Sequence, residues 1–259
     1  MDLKSEWKTA GFVGKVGAIA LGLAIFLVAS DVFAFQVKRV IRARVPFAAT
    51  ADQFCSMNLT LSNGDAENGN CNGAAITNYI TDGDLLVVSK TIVIATVTPK
   101  ILHADTERVI AYLGGSDTLF VGRYAIGSQS DIEVDVEIIE FVSGVTVRSG
   151  FATFSKKIGS KVINFSPSVD TTKSFTIVQA KPTGVVDTAA DSSYYVQGAF
   201  TDSDTLTLSR LVYGASEDPV DTYYQIVEFD QDVSIQSGTK NVGEGTTAVT
   251  QDITDVPAG

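Results

Sequence analysis

EIIEFVSGVTVRSG (residues 137–150) returns at 225–238 as QIVEFDQDVSIQSG, and that return organises the reading of the whole chain. Upstream of it, Ser116-Asp117-Thr118-Leu119 recurs as Ser203-Asp204-Thr205-Leu206, with Arg123 over Arg210 and Gly127 over Gly214 at the same offset of 87. Earlier still, SKTIVIATVTP (89–99) parallels TKSFTIVQAKP (172–182), with Pro99 over Pro182. The offsets of 83, 87 and 88 change only between strand-like blocks, where loop insertions fall. Ordered matches over such a length mark an internal repeat.

Each copy reads as β. In IEVDVEI (132–138) apolar and acidic residues alternate with period two, which sets Ile132, Val134, Val136 and Ile138 on one face. Further strand candidates lie at 91–98, 108–113, 118–124, 145–154 and 161–165, punctuated by Gly114-Gly115-Ser116 and Ser143-Gly144. No long stretch after residue 45 has helical periodicity. The expected architecture is therefore all-β: two tandem β-sandwich modules, jelly-roll or immunoglobulin-like, over 85–168 and 169–259. Residues 35–84 form an arm and a loop packing on the first module. A weaker third echo joins GAAITNYITDGD (73–84), GSKVINFSPSVD (159–170) and GTTAVTQDITDV (245–256). The last has no repeat body after it, so it reads either as a closing strand of the second module or as a strand added to a neighbouring molecule.

Residues 1–34 have the layout of an export signal. Lys4, Lys8 and Lys15 precede the apolar run VGAIALGLAIFLVAS, and Val32-Phe33-Ala34 suits a cut after Ala34. The run is shorter than the roughly 20 residues that span a bilayer as a helix. Two alternatives stand beside it: a retained membrane anchor, and a pilin-like leader cut between Gly11 and Phe12. The second resembles type IV pilins only loosely, because Val16 stands where that family has Glu. Export also fits Cys55 and Cys71, which enclose the polar loop CSMNLTLSNGDAENGNC. Pairing them in an oxidising compartment would restrict the unfolded chain by about 3 kcal/mol.

The 259 residues carry 30 acidic and 19 basic side chains, a formal charge of −11. That balance argues against nucleic acid as a partner. It is also uneven: Lys38, Arg39, Arg42 and Arg44 form a basic stretch ahead of a body with 12 basic and 27 acidic residues. Such a stretch is expected to dock on the acidic surface of a second copy, and a lone histidine, His103, leaves no room for a multi-His metal site. Acidic loops at Asp65, Glu67, Asp82, Asp84, Asp202 and Asp204 carry the oxygen ligands calcium uses, but without EF-hand spacing. No cofactor or catalytic constellation is recognisable. Arg123 with Arg210, and Glu140 with Glu228, recur at matching places, as charges that serve the strand framework do.

The tandem units resemble, in architecture alone, repeated β-sandwich modules of secreted microbial surface proteins and viral appendages. The expectation is an exported, non-enzymatic structural protein, the subunit of an extracellular filament or surface layer. Its copies would associate through 36–45, through the C-terminal strand bearing Val249 and Ile253, or through sheet edges. The competing expectation is a secreted glycan-binding adhesin.

Overall fold

The alternation of Ile132, Val134, Val136 and Ile138 becomes, in a computed structural model of the chain, a strand face with no exposed surface at all. The structure describes residues 36–47, 53–60, 71, 74–77, 80, 84–99, 108–123, 131–183, 195–210, 219–230, 233 and 235. The leader, the 61–70 loop, His103, Val249 and Ile253 lie outside them. Among the described residues the fold is all-β, with a single turn of 3-10 helix at Val88–Lys90. No helix there is long and apolar enough to cross a membrane.

Among the described residues thirteen strands form four antiparallel sheets. Sheet I holds β3 (Ala75–Thr77), β1 (Gln36–Phe47), β7 (Ile132–Ser143) and β4 (Thr91–Pro99), in that order. Sheet II holds β2 (Gln53–Asn58), β6 (Thr118–Arg123) and β5 (Val109–Leu113). Sheet III holds β10 (Ser174–Pro182), β13 (Val220–Phe229) and β8 (Val145–Phe154). Sheet IV holds β11 (Val196–Asp202), β12 (Thr205–Arg210) and β9 (Ser160–Asn164).

Two hydrophobic clusters follow from period-two burial. Ile41, Val45 and Val136 of sheet I meet Met57, Ala111 and Leu119 of sheet II in the first. Phe154 and Val220 of sheet III meet Leu206 and Leu208 of sheet IV in the second. The repeat is visible in backbone hydrogen bonds as well. Leu59 N–H donates to Asp117 O at 2.7 Å, and its counterpart Phe165 N–H donates to Asp204 O at 2.9 Å. Leu86 N–H reaches Ser116 O at 2.9 Å, and Val169 N–H reaches Ser203 O at 2.7 Å. Only the first pair of sheets is stapled: Cys55 on β2 is disulfide-bonded to Cys71.

Two segments sit elsewhere than the sequence suggested. The expected first module, 85–168, includes 145–154 and 161–165, yet β8 does not pair with β7. Both edges of β7 are already taken by β1 and β4, so β8 crosses to sheet III and pairs with β13, from Val220 opposite Phe154 to Phe229 opposite Val145. With β9 it opens the second pair of sheets rather than ending the first. The basic stretch is likewise no free arm. It is β1, an interior strand of its own sheet, with Ile41, Ala43 and Val45 buried beneath it.

Candidate functional site

Gln179 and Gln225 hold the two pairs of sheets together. Both project from the face of sheet III turned away from its own core, opposite Tyr223 and Ile177 respectively in the ladder. Gln225 Oε1 accepts from Val93 N–H at 2.9 Å, while its Nε2 donates to Thr91 O at 3.2 Å. Gln179 Oε1 accepts from Ala111 N–H at 2.8 Å, and its Nε2 donates to Val93 O at 3.1 Å. β4 and β5 are sheet edges, whose outward N–H and C=O groups need partners once buried. A primary amide supplies a donor and an acceptor together, so each Gln imitates a missing strand. Around these contacts Tyr223, Gln225 and Val227 are at most 3% exposed. Burial pushes the Tyr223 phenol above its ordinary pKa, against the opposing hydrogen bond from Ser149.

The recurring charges occupy matching niches. Glu140 on β7 accepts from Arg39 Nε at 2.6 Å and from Val87 N–H at 2.9 Å. Glu228 on β13 accepts from Arg148 at 3.3 Å and from Asp170 N–H at 2.8 Å. In each case the carboxylate ties the turn ahead of an edge strand to the strand beside it. Arg123 is fully buried and donates to Phe47 O at 3.3 Å. Arg210 donates to Ile158 O at 2.9 Å and Ser155 O at 3.0 Å, with its guanidinium 5.3 Å over the Phe154 ring. Burial draws the Arg123 guanidinium below its usual pKa, while Asp131 works the other way.

The four positive charges of β1 all have acidic partners in their own chain. Lys38 and Arg39 reach Asp84 at 2.7 Å each, Arg42 reaches Glu137 at 2.9 Å, and Arg44 reaches Asp135 at 2.7 Å. Arg39 also reaches the buried Glu140, beyond a register shift. Alternation explains the pairs of Arg42 and Arg44: there β1 and β7 present their polar residues to the same face, so basic faces acidic across the ladder. The last two pairs lie exposed on the outer face of sheet I.

A strip of rings crosses the junction. Phe54, Phe120 and Tyr112 of sheet II continue into Phe151 and Tyr223 of sheet III, with Tyr112 edge-on to Phe151 at 4.5 Å. Phe54 and Phe151 are 47% and 54% exposed. Among the described residues no three His, Cys, Asp or Glu side chains converge to hold a metal. Asp84 is engaged by Lys38 and Arg39, and Asp202 and Asp204 hold their neighbours Ser203 and Thr205.

Sequence reasoning missed Gln179, Gln225 and the ring strip. The signal was present in the aligned copies: Asp135 and Glu137 of the first copy are Tyr223 and Gln225 in the second. One copy loses its charges along a single strand face, as a face that becomes covered must. No family model, curated protein or solved structure matches the chain.

Proposed function

We propose that the chain is an exported structural protein built from two tandem β-sandwich modules, the repeating subunit of an extracellular filament or surface layer. The observation that carries this reading is the junction itself. Edge strands of one pair of sheets rest on the outer face of the next, a stacking mode that, among the described residues, leaves the β10/β11 edge and the outer face of sheet I without a strand against them. Such an arrangement does not close on itself, so copies added in the same way extend a fibre. The leader-like residues 1–34 and the disulfide suit an oxidising exterior. Because β1 is interior to sheet I, copies associate by edge contacts or through residues 245–256, which lie outside the described residues.

Negative-stain microscopy of secreted material tests the reading. Long uniform fibres or ordered sheets are the expected result, and deletion of residues 245–259 slows their growth if that segment takes part. Discrete monomers at every concentration would sink it. A second reading has its own observation. The half-exposed rings of Phe54 and Phe151 offer flat apolar surfaces of the kind on which sugar rings stack, which suits a secreted glycan-binding adhesin. Binding on a glycan array, lost in Phe54→Ala and Phe151→Ala, is the result that would favour it.

A further inference from the structure

We infer that the contact between copies repeats the contact within the chain: the β10/β11 edge of one copy seats on the outer face of sheet I of the next. This inference rests on the filament reading and specifies its interface. Within the chain, the seated groups are Thr91 O, the N–H and C=O of Val93, and Ala111 N–H. Repeat alignment carries these to Ser174 O, the N–H and C=O of Thr176, and Gly198 N–H. β10 and β11 are the edges of sheets III and IV, and among the described residues no strand pairs with their outer sides. Thr176 Oγ1 donates to Gly198 O at 3.2 Å, which holds the two edges side by side as one ledge. β8 runs past the 88–90 turn, and Ile235, the counterpart of Val147, donates its N–H to Thr172 O at 2.8 Å in the equivalent turn. The place of a next module is therefore marked beside β10.

The receiving face must then supply what Gln225 and Gln179 supply inside the chain. Their counterparts on sheet I are Glu137 and Thr96. Glu137 alone accepts but cannot donate. Arg42, its ladder partner at 2.9 Å, donates but cannot accept. Together they present the donor–acceptor set of one amide, in an exposed form that keeps a free copy soluble. The Thr96 hydroxyl is a smaller stand-in for Gln179, facing Gly198 N–H. Placing the same pair against a ledge of backbone groups gives an interface that is polar, reversible and sensitive to salt, unlike the dry junction inside the chain.

Cross-linking of the full secreted chain tests this. Copies carrying Thr176→Cys are mixed with copies carrying Glu137→Cys and treated with a short bis-maleimide. Covalent heterodimers are expected, whereas Thr176→Cys mixed with Val162→Cys, on the exposed face of sheet IV, yields none. Without cross-linker, Glu137→Gln assembles as the native chain does, because it restores the amide of the internal junction. Glu137→Lys slows assembly by at least about tenfold. If native chains form fibres but the first mixture gives no heterodimer, the inference fails and the filament reading stands. If native chains never associate, both fail.

Discussion

The outer faces of sheets I and III share a matching pair of strands, β4 with β7 and β10 with β13 in the same register, yet they carry opposite chemistry. Where sheet I has Asp135 facing Arg44 and Glu137 facing Arg42, sheet III has Tyr223 facing Phe151 and Gln225 facing Ser149. The inner faces of both sheets, by contrast, are largely apolar, with Val134, Val136 and Ile138 on sheet I and Val220, Ile226 and Ala152 on sheet III, where Thr222 is buried among them. A duplicated strand thus keeps the residues its own core dictates and changes those that its neighbours dictate. Sheet I turns ion pairs to water, where each contributes little beyond solubility. Sheet III is covered by β4 and β5, where an unpaired charge would be expensive and an amide can satisfy an edge.

Exchanging the two chemistries breaks the comparison most sharply. Tyr223→Asp places a carboxylate without a cation in the junction and is expected to lower stability by about 3–5 kcal/mol in urea titrations. The mirror change Asp135→Tyr, on the open face, stays within about 1 kcal/mol. Equal losses from the two would mean that sheet III is not covered in solution. Next in size, Gln225→Ala strips Val93 N–H and Thr91 O of their partner and should cost about 2 kcal/mol. Amide exchange at Val93 accelerates in the same variant if the protection comes from that side chain. Glu137→Ala, its counterpart, is expected to change the stability of a free copy by less than about 0.5 kcal/mol.

The smallest effect concerns acid. The Asp84 carboxyl is held below the usual carboxylate range, chiefly by the Lys38 hydrogen bond and with help from the Arg39 charge, although burial opposes both. A depressed folded value means that Asp84 stabilises the fold above the unfolded carboxyl pKa of about 3.9 and loses that contribution as pH falls through the folded value. Asp84→Asn should therefore flatten the acid limb of a stability-versus-pH curve below about pH 4 and leave the neutral range unshaped. An acid limb identical to that of the native chain would show that the contacts with Lys38 and Arg39 do not persist in solution.

Much of this was legible in the residues. Alternation in 132–138 identified β7 and its buried face, because period two is a local property of a pleated strand. The aligned copies predicted that β6 and β12 would match, and that Glu140 and Glu228 would recur together. The grouping of β8 and β9 was not legible. Gly144 supplies the positive φ of a tight turn, the same local signal whether the chain then folds back or crosses to another sheet. The decision lay with β1, which fills the edge of β7 from nearly a hundred residues upstream. Similarly, nothing in the residues next to Gln179 and Gln225 announces which edge strands will cover them.

The sequence by itself determined strands β4 to β9, the inward face of β7, the duplication and the pairing of Cys55 with Cys71, all of which rest on spacing or on residue type. Tertiary structure alone decided which strands share a sheet, that Lys38, Arg39, Arg42 and Arg44 belong to an interior strand, and that two glutamines stand in for a missing neighbour. The physical reason is that edges, cover and charge partners are supplied by residues distant in the chain. A strand's own pattern specifies that one face must be buried, and leaves open what meets the other.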